Sequence, residues 1–135
     1  MFRRFTKKRV AVGLAVVGAL ALAVGAYAYF TSTGTGSSTA TWIFTVTPGQ
    51  FRVSTTWLAY SNRATNAPYT ILDGSTSKGT ILVNQQAAPS GFSDQGGTWQ
   101  DLGTFTISGN QLVVQLTNNA NGYVIADAVR IERIG

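Results

Sequence analysis

Residues 101–117 read DLGTFTISGNQLVVQLT, and this stretch decides the fold class. Apolar and polar residues alternate with a period of two through Asp101–Ser108 and again through Gln111–Thr117. Such alternation is typical of strands with one buried face, whereas an amphipathic helix repeats about every 3.6 residues. The Gly109-Asn110 pair between the two runs predicts a hairpin turn. The stretch therefore predicts two consecutive antiparallel strands.

The same alternation continues on both sides of this stretch. No segment after residue 38 has helical spacing, and β-branched and aromatic residues dominate. The predicted strands are Trp42–Thr47, Phe51–Trp57, Tyr69–Asp73, Thr80–Asn84, Asp101–Ser108, Gln111–Thr117 and Tyr123–Ile134. About seven strands with turn signals roughly every ten residues predict an all-β protein, a single antiparallel β-sandwich of jelly-roll type.

The N-terminal segment has the order of an export signal. Met1–Arg9 is basic, Val10–Phe30 carries no charge, and Thr31–Thr41 contains only Thr, Ser, Gly and Ala. Ala26-Tyr27-Ala28 offers the small residues that a signal peptidase needs, which predicts cleavage after Ala28. A retained membrane anchor is the alternative, because about 20 apolar residues can span a bilayer. Under either interpretation, residues 10–28 are predicted to form a helix with few contacts to the sandwich.

These patterns divide the chain into three parts. Residues 1–28 are the predicted signal peptide or membrane anchor, 29–41 a Gly/Ser/Thr linker, and 42–134 the sandwich. The predicted location is secreted or at the cell surface, with membrane contact only through the N-terminal segment.

Charge and composition exclude several classes of function. The chain has 135 residues with ten Lys and Arg against five Asp and Glu, but five of the basic residues lie within Met1–Arg9. The remainder is neutral and offers no basic face to nucleic acid. The absence of His and Cys excludes imidazole bases, thiolate or imidazole metal sites and disulfides. No carboxylate has a recognisable catalytic context, so no enzyme and no cofactor are predicted. A structural calcium ion stays open, although no motif supports one.

Aromatic residues are the sharpest candidates for ligand contacts, because their faces stack on the apolar faces of sugar rings. Trp42 and Trp57 share parity with core positions and are predicted to pack inside. Tyr60, Trp99 and Tyr123 fall at strand ends or in loops, where binding residues concentrate. These three are therefore candidate ligand-binding residues.

The loop 61–67 contains Asn62, Arg63 and Asn66. One interpretation makes it a polar recognition loop, with Asn62 and Asn66 contacting ligand. The favoured interpretation is a network of side-chain to backbone hydrogen bonds that fixes a long irregular connection.

Asp127 is predicted to belong to that network. It shares parity with the apolar core positions of the last predicted strand, and a buried carboxylate needs donors or a cation. We expect it to accept hydrogen bonds from the loop 61–67, above all from Arg63. The alternative is a solvated carboxylate at the rim of the sheet. Four other charged residues are predicted to be solvent-exposed and dispensable for folding: Lys78, Arg130, Glu132 and Arg133.

Three motifs carry a resemblance to a known family. SNRATNAPYT (61–70), WQDLGTF (99–105) and GYVIADAVRI (122–131) resemble the golvesin C-terminal-like domain, which is also found at the end of xanthan lyase-type enzymes. The resemblance covers Thr39 to Ile134. It implies a non-catalytic β-sandwich similar to carbohydrate-binding modules and attached to secreted or surface proteins.

The start of the chain departs from that family. Its members open with further residues before the strand that matches Trp42, so either an edge strand is missing or residues 31–41 replace it. The segment 25–34 resembles the leaders of camelysin and biofilm-matrix proteins.

Together these features predict an exported, non-catalytic module that binds a polysaccharide or cell-wall glycan. The alternative is a structural or adhesive surface subunit that self-associates through an open sheet edge.

Overall fold

The computed structural model describes the backbone of residues 10–14, 16–17, 20–21 and 28–30, and it describes residues 34–135 in full. Its strands, numbered in chain order, are β1 (Val10–Leu14), β2 (Val16–Val17), β3 (Leu20–Ala21), β4 (Ala28–Phe30), β5 (Thr39–Thr45), β6 (Gly49–Thr56), β7 (Ala67–Asp73), β8 (Thr76–Val83), β9 (Phe92–Asp94), β10 (Gly97–Ile107), β11 (Gln111–Thr117), β12 (Val124–Ala126) and β13 (Ala128–Arg133).

The strands form two antiparallel sheets that share one hydrophobic core. One sheet has the order β1-β13-β6-β10-β9, the other has the order β3-β2-β5-β11-β7-β8, and β12 pairs with β4. Buried side chains of both sheets, such as Val53 from the first and Trp42 from the second, belong to the same cluster. The predicted all-β sandwich is confirmed.

Alternation along the strands builds this core. Leu112, Val114 and Leu116 of β11 are fully buried, as a period of two requires of residues that share a face. Trp42 and Trp57, predicted as core residues, are both buried.

The connection at Gly109-Asn110 differs from the predicted hairpin. β10 pairs with β6 and β9, whereas β11 pairs with β5 and β7, so the turn carries the chain from one sheet to the other. The Asp73 carboxylate holds this crossing by accepting hydrogen bonds from Ser108 Oγ at 2.6 Å and from the backbone N–H of Ser108 and Gly109 at 2.8 and 3.1 Å. These hydrogen bonds, led by the one from the Ser108 hydroxyl, lower the pKa of Asp73.

The helix predicted over residues 10–28 is not found in the described part of that segment. β1 pairs with β13, from Val10 opposite Glu132 to Leu14 opposite Ala128, and β2 pairs with β5. An apolar run fits a buried strand as well as a helix, so periodicity alone did not separate the two structures. The remaining residues of the predicted helix, 15, 18–19 and 22–27, lie outside the described residues.

Parts of the predicted linker, residues 29–41, take part in the sheets. β4 pairs with β12, and β5 begins at Thr39. Between them, the backbone N–H of Gly34 donates to the carbonyl of Asn118 at 2.8 Å. β2 pairs with β5, the strand that contains Trp42. The edge strand expected to be missing at this place is therefore supplied by residues 16–17 and not by residues 31–41. Among the described residues, there is no helix with the length and apolar character needed to cross a membrane.

Arg130 and Glu132 of β13 are buried, which corrects the prediction that they are exposed. They alternate with the core residues Val129 and Ile131 as predicted, but only 5% of Arg130 and 2% of Glu132 is accessible. Arg130 Nε donates to Asp94 Oδ2 at 2.6 Å, and its Nη1 donates to Glu132 Oε2 at 3.1 Å. The reason for the error is β9, a three-residue strand that the sequence analysis did not predict.

Phe92 of β9 completes this charged cluster. Its ring centre lies 3.9 Å from the guanidinium carbon of Arg52 and 4.9 Å from that of Arg130. Arg52 also binds Asp101 through two hydrogen bonds of 2.8 and 2.7 Å. The cluster is held by ion pairs and cation–π contacts.

The two other predicted surface cations differ from each other. Lys78 is exposed, as predicted. It lies on β8 beside a register shift in the pairing with β7, and a charged side chain next to a bulge discourages pairing with another edge. Arg133 is half-buried and donates to the carbonyls of Thr47 and Pro48, so the prediction of a fully exposed side chain is wrong for Arg133.

Candidate ligand-binding site at one end of the sandwich

Strand pairing brings several connections together at one end of the molecule. The end of β6 leads into the loop 57–66, and the starts of β7 and β13 and the end of β8 lie at that same end because their pairing is antiparallel. β11 ends beside the start of β5. The loops at this end are therefore 34–38, 57–66, 84–91 and 118–123.

Backbone hydrogen bonds join the loop 57–66 to the loop 118–123. The N–H of Ala64 donates to the Tyr123 carbonyl at 2.7 Å, and the N–H of Tyr123 donates to the Asn62 carbonyl at 3.1 Å. Arg63 and Tyr123 form an isolated parallel bridge. The two loops thus behave as one short piece of sheet outside the main strands.

Asn121 adds a side-chain connection between the same loops. Its Oδ1 accepts from the Thr65 N–H at 2.9 Å, and its Nδ2 donates to Thr65 Oγ1 at 2.6 Å. The Asn121 N–H in turn donates to Asn66 Oδ1 at 2.9 Å. Asn66 therefore has a structural contact, of the kind expected for a polar network.

Arg63 lies between the two candidate tyrosines. Its side chain and backbone are 4% exposed, and its Nη1 donates to Asn62 Oδ1 at 2.7 Å. Its guanidinium carbon lies 5.5 Å from the ring centre of Tyr60, while its backbone pairs with Tyr123. The structure therefore places four residues proposed from the sequence on these two connected loops: Tyr60, Asn62, Asn66 and Tyr123.

Tyr60 and Tyr123 present aromatic surface to solvent. Tyr60 is 62% exposed and Tyr123 is 38% exposed. Large exposed aromatic side chains fixed by a rigid framework are typical of ligand-contacting positions, since little conformational entropy is lost on binding.

Trp99 does not join this surface. It is 4% exposed, its backbone pairs with Phe92, and its indole Nε1 donates to the Asp94 carbonyl at 2.9 Å. Because β9 covers the indole, its faces are not available for stacking. The expectation of an accessible Trp99 is corrected.

Asp127 does not hold the loop 61–67. Among the described residues, no hydrogen bond joins its carboxylate to that loop, whose donors contact Asn121 and Tyr123 instead. Asp127 separates β12 from β13, is half-buried, and has its pKa raised by burial. The strand is interrupted at the carboxylate, which removes the need for a buried partner.

Gln85 is a supporting residue that the sequence analysis missed. It is fully buried, and its side-chain amide pairs with the backbone of Ile125 in both directions at 2.8 Å. Its N–H donates to the Ala64 carbonyl at 2.9 Å, so Gln85 connects β12 with the loop that carries Tyr60. Nothing in the sequence distinguishes this glutamine from its neighbour Gln86.

The buried hydroxyl of Tyr69 extends the same framework. It contacts Gln85 Nε2 at 3.2 Å and Thr55 Oγ1 at 3.3 Å, and burial raises the pKa of Tyr69 to about 12. Within the described residues, no group of three or more acidic side chains could hold a metal ion.

Comparison with known proteins identifies a matching family and similar structures. The family model described as the Golvesin C-terminal domain matches residues 19–133. The chain is similar to a Paenibacillus xanthan lyase with 28% identity and a TM-score of 0.68, over 98% of this chain and 12% of that one. A search of curated proteins found no match.

Two further solved structures share the fold at low identity. One is a Podospora anserina GH26-CBM35 β-(1,4)-mannanase (12% identity, TM-score 0.55, 93% of this chain and 28% of that one). The other is a CBM35 from Cellvibrio japonicus Abf62 (15% identity, TM-score 0.50, 94% of both chains). This chain therefore has the fold of carbohydrate-binding modules, and it spans only a small part of the two enzymes.

Proposed function

The chain belongs to the Golvesin C-terminal domain family, and from this premise we propose that it is a non-catalytic module that binds a polysaccharide or a cell-wall glycan. The observation that carries the proposal is the pair of exposed tyrosines, Tyr60 and Tyr123, on the framework of the loops 57–66 and 118–123. Flat aromatic faces beside carboxamides suit sugar rings and their hydroxyls. The fold shared with the two CBM35 structures is consistent with this role.

The contacts of the carboxylates support a non-catalytic role. Glycoside hydrolysis needs two carboxyl groups on either side of one cleft. Asp73 holds the Gly109 turn, Asp94 binds Arg130, and Asp101 binds Arg52. These three acidic groups are engaged in contacts that stabilise the sandwich.

The proposal is tested by affinity electrophoresis of the full chain through gels that contain single polysaccharides. We expect at least one glycan to retard the protein, and we expect Tyr60→Ala and Tyr123→Ala each to weaken that binding about tenfold, which is roughly 1.4 kcal/mol. Ile43→Ala is the matched control, since Ile43 is a large side chain with the same exposure as Tyr60, 62%, and lies on β5 towards the Gly109 turn, away from this end. Equal retardation of all four proteins would contradict the proposed site.

We also propose that the protein is exported to the cell surface or secreted. The support is the order of the N-terminal segment, with the basic residues of 1–9 ahead of the uncharged run 10–30.

A further inference from the structure

The loops at the ligand-binding end are almost free of charge. Among residues 34–38, 57–66, 84–91 and 118–123, Arg63 is the only charged residue. The rest of these loops consists of small, amide, hydroxyl and apolar residues.

Arg63 is not displayed as a surface cation. It is 4% exposed, and its guanidinium donates to Asn62 Oδ1 at 2.7 Å and to the Leu58 carbonyl at 3.5 Å. These contacts keep the guanidinium group of Arg63 against the loop 57–66. Little of its surface is therefore accessible to an anion in solvent.

Carboxylates near this end do not create an acidic surface either. Asp94, at the start of the β9–β10 turn, binds Arg130 at 2.6 Å, so its charge is offset by a buried cation. Asp127 is half-buried at the junction of β12 and β13. Within residues 34–135, this end of the sandwich therefore offers neither a cationic nor a strongly anionic surface to a ligand.

What the loops do expose are amides and hydroxyls around the two tyrosines. The exposed polar residues of these loops include Ser61, Asn62, Asn84, Gln86, Asn119 and Asn121. A carboxamide has two donors and two acceptor lone pairs. The contacts between the loops use part of this capacity, such as one N–H and the oxygen of Asn121.

We propose that this end binds neutral polysaccharides, chains of uncharged hexoses or pentoses, in preference to uronate-containing or sulfated ones; this inference rests on the glycan-binding function proposed above. Carboxamides can donate to and accept from the hydroxyls of an uncharged sugar. An acidic chain would have to give up hydration of its carboxylates without a cation to replace it, which is costly. The described loops of this end likewise supply no surface charge that would steer an acidic chain to it.

The test is affinity electrophoresis of the full chain at 50 and 500 mM NaCl, between which the screening length shortens about threefold. The neutral gels contain glucomannan, galactomannan or arabinoxylan, and the acidic gels contain xanthan, alginate or polygalacturonate. We expect retardation in at least one neutral gel, at least tenfold stronger than in any acidic gel and unchanged by salt. We also expect Tyr60→Ala to weaken this retardation about tenfold, whereas Ile43→Ala keeps it.

The outcomes separate the two proposals. Retardation only in acidic gels, lost at high salt, would overturn the preference for neutral chains and leave glycan binding standing. No retardation in any gel would contradict the glycan-binding function, and this inference with it.

Discussion

At the scale of single residues, the face of a side chain was easier to predict from the sequence than its exposure. Arg130 alternates with Val129 and Ile131, so its direction away from the core follows from the period of a strand. Its burial depends on Phe92 and Asp94, which come from a distant segment. A contact of this kind leaves no local pattern in the sequence around Arg130.

The buried Arg130 gives a stability prediction. Charge reversal by Arg130→Glu removes the partner of Asp94 and Glu132 and adds another carboxylate beside them. Breaking a buried pair typically costs about 3–5 kcal/mol. We expect a loss of this size in the free energy of unfolding, measured by urea denaturation. Lys78→Glu on the exposed edge should change the free energy by less than about 0.5 kcal/mol, and equally small effects for both variants would show that the cluster contributes nothing.

Asp127 gives a prediction about pH. Burial raises its pKa above the ordinary value of 3.8, so the ionised carboxylate is less favourable in the folded than in the unfolded chain. That penalty is absent in acid and grows as the pH rises through the folded pKa. Asp127→Asn should therefore raise the unfolding temperature at pH 7, with a gain that disappears near pH 3.

Asp73 is the matched control for that titration, because hydrogen bonds lower its pKa. Asp73→Asn should lower the unfolding temperature at pH 7, and this loss should fade in acid. If Asp127→Asn instead destabilises the protein at pH 7, the carboxylate has a favourable partner and our account of it is wrong.

At the scale of elements, alternation located most strands of the sandwich. It failed where an element is short or is apolar at every position. β9 has only three residues, Phe92–Asp94, and no period to detect. The apolar run Val10–Leu14 is compatible with a helix and with a strand, and only its pairing with β13 distinguishes the two. The Gly109-Asn110 turn was identified, but its sheet-to-sheet crossing depends on pairing with distant strands.

The N-terminal segment yields a prediction at this scale. Sequencing the N-terminus of exported protein should return Tyr29 if a signal peptidase cleaves after Ala28. Mature protein of this kind would lack β1 and leave that side of β13 without its partner. A sequence that begins at Met1 or Phe2 would contradict cleavage and favour a retained N-terminal segment.

At the scale of the whole molecule, the candidate site could be predicted in part. Tyr60, Asn62, Asn66 and Tyr123 were identified because aromatic and amide residues in loops are typical of binding surfaces. Their assembly depends on pairing between loops 55 or more residues apart in the chain, through contacts such as the one from Asn121 to Asn66. Gln85 and Asn121, which fix the framework, have no distinguishing local signal.

The central claim is that a glycan binds at the end formed by the loops 57–66 and 118–123. It is tested most directly by nuclear magnetic resonance, with the labelled full chain titrated with a hexasaccharide prepared from whichever polysaccharide retards it. We predict that the largest amide shift changes fall in these two loops, around Tyr60 and Tyr123. Changes centred instead on the outer face of β5, around the exposed Ile43, would contradict the account.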